Sequence, residues 1–517
     1  MVINLYDIMK DRIVFRVLLF IVLFMPATTV FANVRIPAVF SNGMVMQRNA
    51  DVLLWGWANA GEKVTVIAGW SAKAITTNAD AQGKWQLYIK TANAGGPYTI
   101  TIKGNNTVEV NDVLLGEVWL CSGQSNMGFT LKSSEGGKEE IAAADLPTIR
   151  YFSVKRQYGL ENFDDCPGSV WQKTKPANAG NYSAVAFYFA KKIQQELKVP
   201  VGIIFNAWGG TPAEAWTPMP VLKGDTILSK YIDRWAVIQN NVGKDSTAYN
   251  NKLEEWKKDS VKNKKPSEPQ TLYYFKRPWR EPSVLFNGMT DPVIPYGIKG
   301  VLWYQGESNV AYADEYFLLF SKMIESWRNR YKEKGYKETL PFYFVQIAPN
   351  GYNDLDAAAR LREAQQQVAD KIPNTAMAVT MDVGDMNDIH YTRKKEVGDR
   401  LALLALKNLY KQSKLIATAP TVKKKSAQGG LVTMEFTGDL DITKTPGAFE
   451  IGYRPISTDS IVYVKANTRI ESNKIIAWTE KTRSPLVVRY GWLFPGEANV
   501  MSKEGLPVAP FRLTIKK

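Results

Sequence analysis

An α/β core flanked on both sides by β-rich segments is the fold class the sequence predicts, and three observations carry the prediction. From about residue 113 to 409, apolar strand-like runs alternate with segments of helical periodicity, the pattern of a mostly parallel sheet. Residues 34 to 112 instead hold short alternating runs separated by glycine turns, as in a small β-sandwich. Beyond Thr418 the chain returns to the same β character.

Taken in order, the N-terminus has Lys10, Arg12 and Arg16 ahead of the apolar run Val17 to Met25, then Val30-Phe31-Ala32 with small residues at the positions a signal peptidase reads. Residues 1–32 are therefore expected to be a signal peptide cleaved after Ala32. That places the mature chain outside the cytoplasm, periplasmic or extracellular, without a stable membrane anchor. The first sandwich spans 33–112, with strands such as Val52 to Trp57, Lys63 to Ile67, Lys84 to Ile89 and Tyr98 to Ile102. Its tryptophans Trp55, Trp57, Trp70 and Trp85 read as core filling.

The α/β segment is expected over 113–415. Its first strand, Val113-Leu114-Leu115-Gly116-Glu117-Val118-Trp119-Leu120, stops abruptly in Ser122-Gly123-Gln124-Ser125-Asn126. A buried strand that ends in a small glycine turn lifts one side chain out at the carboxyl edge of a sheet, here Ser125. Ser183 to Leu197 has helical periodicity, and Val201 to Asn206 forms the next strand before Trp208-Gly209-Gly210. Ile298 to Tyr304 leads into Gln305-Gly306-Glu307-Ser308-Asn309 and a helix from about Glu315 to Tyr331. Then follow the strand Pro341 to Ala348, the helix Ala357 to Ala369, the strand Thr375 to Met381 and the helix Lys394 to Leu409. A charged, tryptophan-bearing insertion at about 220–282 reads as helical, with a lysine-rich loop near Lys262 to Pro266. Residues 416–517 read as the second sandwich.

Composition narrows the chemistry. A serine hydroxyl needs a base to act as a nucleophile, and the chain contains one histidine, His390. One histidine and two cysteines, Cys121 and Cys166, argue against a zinc site of the usual ligands. The two cysteines either pair or serve as apolar fillers. A net charge of +15 favours anionic ligands, but the lysines are scattered and form no nucleic-acid module.

Four strand exits together suit acyl transfer. One supplies Ser125; Gly209-Gly210 offers backbone N–H groups to an oxyanion; Gln305 offers an amide donor beside Glu307; and Asp382 to His390 carries the imidazole with Asp382, Asp385 and Asp388 nearby. Turn formation is the expected role of Asp382 and Asp385. Either Asp388 or Glu307 supports the imidazole, Asp388 being preferred because it shares a loop with His390.

The blocks G-E-V-W-L-C-S-G-Q-S-N-M, N-A-W-G-G-T-P-A-E-A-W, W-Y-Q-G-E-S-N and D-I-H strongly resemble the sialate O-acetylesterase family, a branch of the SGNH hydrolase superfamily. The resemblance runs from about Val34 to V-R-Y-G-W and K-E-G-L-P-V-A-P-F-R near the C-terminus. It implies a flavodoxin-like three-layer α/β/α core and removal of O-acetyl groups from sugars without a cofactor. On matching positions Ser125 is the nucleophile, His390 the base and Gly210 the oxyanion-hole glycine, joined by the N–H of Ser125. Gln305 stands where the wider superfamily uses asparagine. There the acid lies three residues before the histidine, a position that is Asn387 here, while Asp388 lies two before. Sialosides acetylated in the 9-O manner are the expected substrate, and Arg360 or Arg362 is available to meet the sialate carboxylate. Acetylated xylan or another polysaccharide is the alternative substrate. A non-catalytic carbohydrate-binding protein is the alternative from another class.

Overall fold

A computed structural model of the chain describes residues 33–515 apart from 72, 260–265 and 267. The expected signal peptide, and most of the lysine-rich loop, lie outside the described residues. The fold is mixed α/β: a central mixed sheet with further β-sheets at both ends of the chain.

One strand organises the molecule. β1 (Thr107–Gly123) is 17 residues long and continuously buried from Val113 to Gly123. Its first part pairs antiparallel with the N-terminal strand Gly95–Lys103, and Val45–Gln47 adds beside Leu114 to Gly116. Its second part is the centre of the parallel sheet. The strand thus runs through the expected division near residue 112, where Asp112 has a φ of 59°.

β2 (Leu146–Ser153), β3 (Trp171–Thr174), β4 (Val201–Ala207), β5 (Gly300–Tyr304), β6 (Phe342–Val345) and β7 (Thr375–Ala378) complete this sheet in the order β7-β6-β5-β1-β4-β2-β3. All neighbours are parallel except the edge pair β2 and β3. Parallel strands covered on both faces should read as unbroken apolar runs. In β1 successive side chains accordingly enter two different cores. Trp119 and Cys121 pack with helices α1 (Ala184–Leu197) and α5 (Lys394–Asn408). Val118 and Leu120 belong to the core containing α3 (Ala313–Glu333) and α4 (Leu355–Lys371).

The helices start and stop for local reasons. Ser183 caps α1 by accepting the Ala186 N–H at 3.1 Å, and Lys198 ends the helix in the left-handed region before Val199-Pro200. Asp354 caps α4 by accepting the Ala357 N–H at 2.8 Å. The insertion contains α2 (Ser229–Lys258), a 30-residue helix that buries chiefly Tyr231 and Trp235.

The C-terminal segment forms two four-stranded antiparallel sheets that share one apolar core, including Val432, Phe449, Ile451, Ile475 and Tyr490. It is tied to α4 where Trp492 Nε1 donates to Asp356 Oδ1 at 2.7 Å. Cys121 and Cys166 are both free and buried. Burial pushes the Cys166 thiol up to about 12, and Cys121 rises further for the same reason.

Candidate active site

The four exits converge at the carboxyl edge of the sheet. Gly123 ends β1 with a φ of 139°, and a Cβ there would lie 2.2 Å from the Tyr304 carbonyl oxygen, so only glycine lets β1 and β5 approach this closely. The chain then turns into the short helical segment Ser125–Gly128, which leaves the Ser125 side chain half-buried. His390 Nε2 lies 2.8 Å from Ser125 Oγ, across 265 positions of sequence.

Gly209 and Gly210 follow β4 at the same edge. A Cβ on Gly209 would sit 3.3 Å from Ser125 Cβ, and Gly210 has a φ of 72°. Among the described residues the N–H groups of these two glycines donate to no other group. The N–H of Ser125, first in its helical turn, has no acceptor within that turn. A cluster of undirected backbone N–H groups beside a hydroxyl is what a developing oxyanion requires.

The carboxylates divide their roles geometrically. Asp388 Oδ1 accepts the backbone N–H of His390 at 2.8 Å, and the same oxygen is 3.9 Å from His390 Nδ1, beyond hydrogen-bond reach. Glu307 does not bond the imidazole. Its Oε2 accepts from Gln124 Nε2 at 2.5 Å and its Oε1 from Asn126 Nδ2 at 2.6 Å, so it grips the residues on either side of Ser125. Asn126 Nδ2 also donates to the Ile389 carbonyl at 3.0 Å, linking the serine turn to the histidine loop. Burial raises the Glu307 carboxyl above its ordinary range. Asp382 is held by Arg400 through two bonds of 2.7 Å, and Asp385 accepts the Asn387 N–H in a turn.

Two expectations are corrected. Gln305 is fully buried, and its amide nitrogen donates to Asn309 Oδ1 at 2.6 Å and the Thr211 carbonyl at 3.3 Å, while its Oε1 accepts from Tyr316 at 2.9 Å. A buried amide must satisfy its donors internally, so Gln305 braces two loops and is not brought into the site as an oxyanion donor. Arg360 is engaged by Asp314 and Asp356, and Arg362 has no exposed surface. Neither is placed to meet a substrate carboxylate.

For other side chains at the site, nothing local in the sequence shows which partners they meet. Lys394, fully buried in the first turn of α5, donates to Asn126 Oδ1 at 2.6 Å and lies 3.4 Å over the Tyr391 ring. Burial pushes its ammonium down to about 7. Trp208 and Trp279 stack at 5.1 Å beside Gly209 and Gly210, with Tyr158 edge-on to both. Their partners come from distant segments, so only the fold assembles them.

An imidazole on a serine hydroxyl, at the carboxyl edge of a parallel sheet with undirected N–H groups alongside, defines a serine-dependent carboxylic ester hydrolase. Residues 277–407 match the family described as carbohydrate esterase, sialic acid-specific acetylesterase. The chain is 30% identical to a structure titled a novel carbohydrate acetylesterase from Xanthomonas citri, with a TM-score of 0.77 over 93% of this chain and 99% of that one. The chain belongs to the sialate O-acetylesterase family of carbohydrate esterases. It is 29% identical to the sialate O-acetylesterase of Rattus norvegicus over 93% of this chain and 94% of the relative, and 28% identical to that of Homo sapiens over 89% and 87%.

Proposed function

We propose that this enzyme removes O-acetyl groups from acidic sugars of the sialate type, with Ser125 as nucleophile and His390 as general base. Ser125 Oγ attacks the acetyl carbonyl while His390 Nε2 takes its proton. The oxyanion receives hydrogen bonds from the N–H groups of Ser125 and Gly210. As the tetrahedral intermediate collapses, His390 returns the proton to the departing sugar oxygen and acetyl-Ser125 remains. Water, activated by the same imidazole, then releases acetate. Asp388 supports the imidazolium by Coulomb attraction, and Glu307 positions the turn through Gln124 and Asn126. No step calls on a metal or cofactor.

The observation that carries this reading is the 2.8 Å contact between His390 Nε2 and Ser125 Oγ. The names of the relatives support an acetylated sugar as substrate. The test is acetate release from an acetylated sialoside and an acetylated xylo-oligosaccharide. Ser125→Ala is expected to lower kcat/KM by about 10³-fold or more on whichever is cleaved. Undiminished release by that variant would sink the mechanism, and faster release from the xylo-oligosaccharide would move the substrate to acetylated polysaccharide.

We read the core as a flavodoxin-like three-layer arrangement of the SGNH type over 113–415, with sandwiches at 33–112 and 416–517. Residues 1–32 act in this reading as an export signal, and N-terminal sequencing of the secreted protein, starting at Asn33, is the check.

A further inference from the structure

Arg280 is a buried cation near the site, and the esterase mechanism leaves it unused. It closes the insertion, is 6% exposed, and its Nε is buried without a hydrogen-bond partner. Among the described residues its side chain enters no ion pair. Its neighbours are instead rings, with the guanidinium 4.8 Å from the Tyr274 centroid and 5.9 Å from Tyr273. Glu214 lines the same small cavity, but its Oε2 accepts from Asn309 Nδ2 at 2.8 Å. The guanidinium reaches the reaction centre: a Cβ on Gly210 would lie 3.6 Å from Arg280 Nη1.

Attraction to the Glu214 carboxyl acts across space without a direct ion pair, and a desolvated guanidinium with no bonded anion is costly to hold. An anionic ligand group reaching it from the surface beside Gly210 would offset that cost. The residue before it, Trp279, stacks on Trp208 with planes 13° apart, and the exposed Arg156 guanidinium lies 5.4 Å over Trp208. Ring faces of this kind suit the apolar C–H face of a pyranose. The guanidinium fork matches a carboxylate in two parallel hydrogen bonds.

We propose that Arg280, with the Trp208–Trp279 stack, forms a subsite that binds the carboxylate of the acetylated sugar beside the Gly210 oxyanion position. This rests on the esterase reading above and makes the enzyme selective for acidic sugars, whether a sialic or a uronic acid supplies the carboxylate.

The experiment compares kcat/KM of the full chain on three esters: an acetylated sialoside, an acetylated glucuronoxylo-oligosaccharide and a neutral acetylated xylo-oligosaccharide. Arg280→Gln is expected to lower the acidic-to-neutral ratio about ten- to hundred-fold, with Arg280→Lys intermediate because it keeps charge without the fork. The ester whose ratio falls identifies the source of the carboxylate. As a check independent of any variant, free sialate or glucuronate should inhibit wild-type cleavage of the neutral ester competitively, and neutral xylose should not. Unchanged ratios in both variants, or equal losses on all three esters, overturn the subsite, as does absence of inhibition by both acids. Wild-type enzyme that releases acetate from none of the esters instead overturns the esterase reading itself.

Discussion

Replacing Asp388 with asparagine separates the charge of this carboxylate from its shape. One of its oxygens accepts the His390 backbone N–H at 2.8 Å, and asparagine retains an oxygen for that bond, so the turn survives. What is lost is the attraction to the imidazolium across 3.9 Å. Two unit charges about 4 Å apart attract by about 1 kcal/mol in bulk water and about 4 kcal/mol at an effective dielectric of 20. The two side chains are 42% and 62% exposed, which sets the pair near the aqueous limit. Exposed pairs there contribute about 0–1 kcal/mol. Since about 1.4 kcal/mol is a factor of ten in rate, Asp388→Asn should keep at least about a fifth of the wild-type kcat/KM. Initial rates of acetate release from a chromogenic acetyl ester, followed across the neutral pH range, measure this directly. A fall of about 10³-fold or more would refute the reasoning, because the carboxylate would then have to hydrogen-bond the ring in the working enzyme. Asp388→Ala should lose more than Asp388→Asn, since it also strips the His390 N–H of its acceptor.

Glu307→Gln sets an amide against two donors, Gln124 Nε2 and Asn126 Nδ2, and each unmatched buried donor costs about 1–3 kcal/mol. Both kcat/KM and the melting temperature should fall, and wild-type values for both would refute the bracing role. Gly123→Ala drives a Cβ to 2.2 Å from the Tyr304 carbonyl, a backbone clash that no rotamer relieves. The loss should be at least about 1–3 kcal/mol, read as a lowered denaturant midpoint. Stability against pH should carry two opposed limbs. Burial pushes Glu214 up from 4.5 to about 7, so the folded state holds its proton longer and this contribution is lost as pH rises through that window. Burial pushes Lys394 down from 10.5 to about 7, so the unfolded chain protonates first and stability falls as pH drops through that range. Urea unfolding of Glu214→Gln should lack the first limb and of Lys394→Met the second; unaltered pH profiles would contradict both.

Local pattern made the α/β core legible. The helices run Ala184–Leu197, Ala313–Glu333, Leu355–Lys371 and Lys394–Asn408, within a few residues of the expected spans, because each has a capping residue or an amphipathic face written into its own sequence. β1 was less legible. Its first residues, Thr107 to Asp112, alternate as the edge of an antiparallel pair, and its later residues run apolar as a doubly covered strand. That change of pattern hides a single continuous strand. Gln305 shows the corresponding limit at the site. Residue type and position beside Gly306 fit an oxyanion donor, but whether an amide is available depends on Asn309, Thr211 and Tyr316, whose proximity only packing decides. Lys394 follows His390 by four residues, yet its approach to Asn126 spans 268 positions and has no local signature.

In the proposed mechanism and subsite, the same contrast separates reactivity from selectivity. Ser125, Gly210 and Glu307 come from the exits of β1, β4 and β5, rigid central strands whose register aligns Gly123 with both Ala207 and Tyr304. These strand ends set the positions of hydroxyl, N–H donors and brace, none of which distinguishes one acetylated sugar from another. The side chains that differ in kind, Tyr158, Trp208, Trp279 and Arg280, surround them from loops and from the end of the insertion. Loops on a rigid scaffold tolerate change better than the strands they leave. A change of sugar is therefore expected to require substitutions around Trp279 and Arg280 before any at the sheet edge, where a Cβ at Gly123 would strike the Tyr304 backbone.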